Sequence, residues 1–114
     1  MTKGEYMFVN TPKPPYYAVI FSSLKELNDL GYEEVAKEMV ELVSNQNGFL
    51  GAESLRDSNG FGITISYWKD LESIKKWKNN LEHIKARQKG KELWYKRYKI
   101  RVAIVERDYE FERL

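Results

Sequence analysis

A chain of 114 residues, 42% apolar and 32% charged, is sized for one domain with its own core. It has no cysteine and one histidine, which excludes disulfides, thiolate nucleophiles, Cys-ligated zinc and a multi-histidine metal centre within one subunit. No run approaches the ~20 apolar residues of a membrane span, the N-terminus lacks signal-peptide order, and a net charge of +2 is too small to argue for nucleic acid; the chain reads as cytoplasmic.

Residues 1–15 show no sustained period and end in Pro12-Lys13-Pro14-Pro15 as the chain approaches its first strand, with Thr11 before them. In fact only positions 12, 14 and 15 are proline, and each fixes φ and removes a donor, so the segment reads as an extended lead-in to one domain over 16–114. Met7-Phe8-Val9 is expected against a sheet edge. The first strand is Tyr16–Phe21, apolar on both faces, and such a strand wants cover on both sides. Ser22–Gly31 reads as a polar connection.

Tyr32 to Gln46 has helical spacing, with Tyr32, Val35, Ala36, Met39, Val40, Leu42 and Val43 in one stripe. Asn45-Gln46-Asn47-Gly48 is a helix stop. Phe49–Arg56 is a second strand, Asp57-Ser58-Asn59-Gly60 a hairpin signal, and Phe61–Trp68 a third strand. In that strand Tyr67 and Trp68 belong to opposite faces. Asp70 is a candidate N-cap for a short helix with Leu71, Ile74 and Trp77 in its stripe. In an unbroken helix His83 would lie almost opposite that stripe. Asn79-Asn80 instead suggests a restart at Asn80, which gathers His83, Arg87, Gly90 and Trp94 on one side, with a bend expected at Gly90. Eight Lys/Arg and one acid, Glu92, lie between Lys85 and Arg101. A solvated face explains this cluster as well as an anion site does. The last strand reads as Arg97–Glu112, long enough for its distal half to leave its own sheet.

The order strand, helix, strand, strand, helices, strand is that of a ferredoxin-like split β-α-β fold: α+β, with a four-stranded antiparallel sheet and helices on one face. An apolar open face then calls for a second copy, so an obligate homodimer is expected, its sheets meeting as an α/β barrel. The alternative is that the lead-in folds across that face.

Several strings, Tyr17-Ala18-Val19-Ile20-Phe21, Asn47-Gly48-Phe49-Leu50-Gly51, Gly62 to Trp68, Trp77 with Glu82-His83, and Trp94-Tyr95, resemble the antibiotic biosynthesis monooxygenase family. The resemblance implies a dimeric α/β barrel that oxygenates a small aromatic molecule without a cofactor. It makes His83, Tyr67 and Tyr95 the candidate catalytic groups, and Trp68, Trp77, Arg87 and Trp94 the candidate substrate-binding walls. No metal, nucleic acid or membrane partner is expected. Heme-degrading relatives supply an alternative, with His83 as iron ligand, although the first strand lacks the Asn they carry. A ligand-binding dimer without turnover is the non-enzymatic alternative.

Overall fold

The structure is a computed structural model that describes residues 8–114. Its elements are β1 (Tyr16–Lys25), α1 (Tyr32–Ser44), β2 (Phe49–Arg56), β3 (Phe61–Trp68), α2 (Leu71–Lys78), α3 (Leu81–Lys89), a π-helical turn (Gly90–Trp94) and β4 (Tyr95–Val105). The four strands form one antiparallel sheet in the order β2-β3-β1-β4, which is the ferredoxin-like arrangement expected from the element order.

Two strand lengths differ from the sequence reading, and pairing explains both. β1 does not stop at Phe21, because Ser22, Ser23 and Leu24 pair with β3 on one side and with β4 on the other. β4 ends at Val105, opposite Tyr16, the first residue of β1. Beyond Val105 no neighbouring strand remains to receive its hydrogen bonds, and Pro14-Pro15 bars β1 from extending backwards. Residues 106–114 therefore carry no strand.

Register assigns the two faces. Tyr17, Val19, Phe21 and Ser23 share a face with Trp68, Ser66, Thr64 and Gly62, and with Ile104, Val102, Ile100 and Tyr98. This is the helix-covered face, because Trp77 of α2 stacks on Trp68 and Tyr32 of α1 lies beside Arg56. Tyr16, Ala18, Ile20, Tyr67, Ile65 and Ile63 belong to the open face. The α1 stripe is only half-buried, and Val40 falls outside it. In α2, Ile74 and Trp77 turn inward while Leu71 is exposed.

The hairpin between β2 and β3 is set by local chemistry. The Asp57 carboxylate accepts from the N–H groups of Asn59 and Phe61, and Gly60 sits at φ 95°, where a side chain would also strike the Lys25 carbonyl. Met7 lies outside the described residues. Val9 does meet edge strand β2: its N–H donates to Glu53 Oε2 at 3.0 Å, and it sits so close to Gly51 that a Cβ there would be 2.5 Å away. The lead-in thus covers one end of the open face. At the other end Leu24, Leu55, Phe61 and Ile63 remain 36–77% exposed.

Candidate functional site

Asp70 starts the site. Its carboxylate accepts from Ser73 N–H at 2.8 Å, which begins α2 directly after β3 and holds the Asp70 carboxyl below its usual range. Trp77, one turn on from Ser73, is thereby laid over Trp68 with centroids 6.5 Å apart. Trp68 is fully buried. Its indole N–H donates to Ser66 Oγ at 2.9 Å, and Phe49 meets it edge-on at 5.2 Å.

The chain then breaks and turns back. Asn80 caps α3 by accepting from the N–H groups of Glu82 and His83, so α3 does not continue the axis of α2. His83 swings over the end of α2 and stacks on Trp77 at 4.1 Å and 11°. Its Nδ1 lies 2.9 Å from the Trp77 carbonyl oxygen. A carbonyl only accepts, so in this bond Nδ1 carries the hydrogen, and in the neutral ring Nε2 keeps its lone pair. Burial pushes the His83 pKa below 6.5; the Trp77 carbonyl opposes this and the Arg87 charge adds to it. At neutral pH His83 is therefore an uncharged base. Arg87 donates to the Lys78 carbonyl at 3.0 Å, and its Nε is buried without a partner among the described residues. Both side chains satisfy carbonyls at the C-terminal end of α2.

Trp94 and Tyr95 belong to a second cluster, at the opposite end of the helix-covered face. The Trp94 indole donates to the Leu30 carbonyl at 3.0 Å and meets Tyr32 edge-on at 5.5 Å. Tyr95 packs against Phe21 and Tyr98, with its hydroxyl 3.4 Å from that of Tyr32. Burial raises the Tyr95 phenol well above its ordinary value. The π-helical turn presses Gly90 against the Tyr95 ring, leaving no room for a Cβ. Sequence reasoning missed Tyr32 and Arg56 here. Arg56 donates to the buried Ser23 hydroxyl at 2.9 Å, and its guanidinium lies 5.9 Å from the Tyr32 ring. Nothing local marks an arginine at a strand end as a half-buried anchor.

Between the clusters the sheet floor is built from short side chains: Ala52, Ser54, Thr64 and Ser66, all on the helix-covered face. Ala52 and Ser54 stay exposed despite that position, and no residue of α1 is fully buried. The result is a strip of short side chains that the helix layer leaves partly open to solvent. It has the Trp68–Trp77–His83 stack at one end and the Tyr32–Tyr95–Arg56 group at the other. From Trp68 to Gly62 along β3 this is roughly 20 Å.

Tyr67 is not on this face. As the neighbour of Trp68 in a strand it points to the open face, so the structure does not bring it together with His83. There its hydroxyl donates to Glu53 Oε1 at 2.7 Å, its ring meets Tyr16 edge-on, and burial followed by the Glu53 bond pushes its pKa up to about 12. Glu53 is the third residue that sequence reasoning left without a role.

A family model described as antibiotic biosynthesis monooxygenase matches residues 15–89. The chain belongs to the antibiotic biosynthesis monooxygenase family. It is 52% identical over 102 residues to the uncharacterized protein YqjZ of Bacillus subtilis, covering 90% of each chain. It is 28% identical over 94 residues to the jasmonate monooxygenase ABM of Pyricularia oryzae, spanning 78% of this chain but 43% of that protein. Among solved structures the fold is similar to SnoaB, a cofactor-independent oxygenase from Streptomyces nogalater. The TM-score is 0.71 at 12% identity, over 82% of this chain and 95% of that one. A conserved protein from Methanosarcina mazei gives a TM-score of 0.68 at 10% identity, over 82% and 94%. At such identities these two show the fold alone. Among the described residues no helix is long and apolar enough to cross a membrane.

Proposed function

We propose that the chain is a monooxygenase that oxygenates a planar, electron-rich aromatic molecule without a cofactor, and that it works as a homodimer. The observation that carries this reading is the His83 imidazole, stacked on Trp77 and bonded through Nδ1 to the Trp77 carbonyl. That bond aims a neutral base, Nε2, from an aromatic wall. Similarity to a jasmonate monooxygenase and to a cofactor-independent oxygenase of the same fold supports the reaction class.

In this reading Trp77 and Trp68 offer the π surface on which a flat substrate lies. Nε2 removes a proton from an activated C–H or phenolic O–H. The resulting anion gives its electrons to dioxygen and forms a C–O bond. Loss of the second C–H proton with cleavage of the O–O bond leaves one oxygen as a ring carbonyl, and the other departs as water carrying that proton and the one returned from His83. A CH2 group thus becomes C=O, and one O2 yields one H2O. Arg87, one turn beyond His83, is the cation placed to meet a phenolate. The exposed patch Leu24, Leu55, Phe61 and Ile63 is the surface a second copy covers.

The test is oxygen uptake by the purified protein with a panel of anthrones and quinols. Consumption of one O2 per substrate above the autoxidation rate supports the reading, and no uptake above background removes it.

A second reading uses the same nitrogen. A histidine whose Nδ1–H is held by a carbonyl is oriented as a metal-ligating histidine is, so His83 Nε2 could hold a heme iron, and heme would supply oxygen activation. Anaerobic hemin titration decides: a Soret band lost in His83→Ala supports heme, and absence of binding excludes it.

A further inference from the structure

Two tyrosine–carboxylate pairs on the open face have no part in the proposed oxygenation. Tyr67 donates to Glu53 Oε1 at 2.7 Å, and Tyr16 donates to Asp108 Oδ2 at 2.6 Å. The two rings meet edge-on with centroids 5.9 Å apart. Tyr16 is 4% exposed, and Tyr67 is half-buried. Packing needs only the rings, and a hydroxyl or a backbone carbonyl would satisfy each phenol. Here each phenol instead meets a carboxylate, a group that can take its proton.

These pairs back directly onto the candidate site. Tyr67 precedes Trp68 in β3, with Cα atoms about 3.8 Å apart. Trp68 lies under Trp77 with centroids 6.5 Å apart, and Trp77 carries His83. The order His83, Trp77, Trp68, Tyr67, Tyr16 therefore runs from the proposed base through the sheet to the open face. The Tyr32–Tyr95 cluster has no such acceptor: Tyr95 donates to the Tyr32 hydroxyl at 3.4 Å.

The difference matters when an electron leaves. A phenol that loses an electron becomes a strong acid, so its oxidation is easy only where a base waits. Burial, then the Glu53 bond, pushes the Tyr67 pKa up to about 12. Burial and the Asp108 bond raise that of Tyr16. Both phenols thus keep their protons until they are oxidised. Trp68 differs, because its indole N–H donates to Ser66 Oγ, a neutral hydroxyl and a poor base. An oxidised Trp68 keeps its proton as a radical cation, which is a stronger oxidant than the neutral indolyl.

We propose that Trp77, Trp68, Tyr67 and Tyr16 form a relay that carries an oxidising equivalent out of the site, with Glu53 and Asp108 as proton acceptors. The oxidant is an alkoxyl or hydroxyl radical, the two fragments formed when the O–O bond of the substrate hydroperoxide breaks homolytically. It takes one electron from Trp77 and one proton from solvent, giving an alcohol or water. Trp68 gives an electron to Trp77, and Tyr67 gives one to Trp68. As Tyr67 is oxidised its proton moves to Glu53, leaving a neutral phenoxyl. Tyr16 then reduces that phenoxyl. Glu53 returns the proton to Tyr67, and the Tyr16 proton passes to Asp108, which is exposed. One electron from a soluble reductant such as ascorbate, with the proton returned by Asp108, restores Tyr16. The purpose of the relay rests on the oxygenase reading.

Pulse radiolysis tests the relay without substrate or oxygen, so its failure is distinct from that of the oxygenase reading. Azide radicals oxidise tryptophan first, and indolyl and phenoxyl radicals differ in visible absorption. In the unaltered chain the tryptophan radical should convert to a tyrosyl radical at a rate independent of protein concentration. Tyr67→Phe keeps the ring and should abolish that step. Glu53→Gln keeps an acceptor oxygen but no base, and should slow it several-fold and shrink its solvent deuterium isotope effect. Tyr32→Phe, in the cluster without a carboxylate, should leave it unchanged. Tyr16→Phe should strand the radical on Tyr67, changing the electron paramagnetic resonance spectrum of frozen samples. Circular dichroism confirms that each variant is folded. If the unaltered chain shows no such conversion, if Tyr67→Phe and Glu53→Gln convert as fast as it does, or if Tyr32→Phe alone abolishes the step, the relay is wrong and the open-face pairs serve packing. An unchanged spectrum in Tyr16→Phe would remove Tyr16 from the route.

Discussion

Replacing His83 separates its structural role from its chemical one. In His83→Ala the chain loses the Nδ1–H bond to the Trp77 carbonyl and the near-parallel stack on Trp77. The carbonyl keeps a second partner, the Asn80 N–H at 3.1 Å, so no buried acceptor is orphaned. A typical net hydrogen bond contributes about 1 kcal/mol, and an aromatic pair about 0.5–1.5 kcal/mol beyond burial. The expected loss is therefore about 2–3 kcal/mol once the smaller buried area is added. His83→Phe keeps a ring on Trp77 and loses only the bond, about 1 kcal/mol. Urea unfolding followed by tryptophan fluorescence, at one fixed protein concentration, measures both. Oxygen uptake should fall by about 10²–10⁴-fold in both variants, since neither offers Nε2. Equal stability of the alanine and phenylalanine variants would refute the stack, and retained activity in either would refute the base.

Further outcomes follow from other contacts. Asn80→Ala removes the acceptor for the Glu82 and His83 N–H groups and should cost about 1 kcal/mol; it should also lower oxygen uptake, because the restart that aims His83 is loosened. The lowered pKa of His83 means that the unfolded chain binds a proton that the folded chain refuses. Stability is full above pH 6.5 and declines as pH falls from there toward the folded value, and the decline should be missing from His83→Phe in parallel urea titrations. Tyr67→Phe strips a donor from Glu53. It should destabilise by about 1 kcal/mol and raise amide exchange at Val9, whose N–H is held by the same carboxylate; unchanged exchange would show that the two bonds are independent.

The parts of this fold that sequence reveals are those decided by near neighbours in the chain. Asp70, Asn80 and the Asp57–Gly60 hairpin each act within four residues, and each was readable from its residue type. The ends of β1 and β4 were not. The extent of β4 depends on where β1 begins, at Tyr16, far earlier in the chain but directly opposite Val105, and its alternating charged continuation looks like strand whether or not a partner exists. The polar residues Ser22 and Ser23 hide a strand that pairs on both sides. The same division holds in the site. Strand alternation separates Tyr67 from Trp68, and the Asn79-Asn80 break was visible. The angle of the restart, which folds His83 onto Trp77, was not. Arg56 and Tyr32 meet only through tertiary packing.

The proposed chemistry turns on which nitrogen of His83 carries the proton. The chain contains one histidine, so a two-dimensional 1H–15N correlation of the imidazole reads it without assignment. A neutral ring protonated at Nδ1 is expected at about pH 7.5, with a titration midpoint below 6.5. A ring protonated at Nε2, or a midpoint above 6.5, would contradict it.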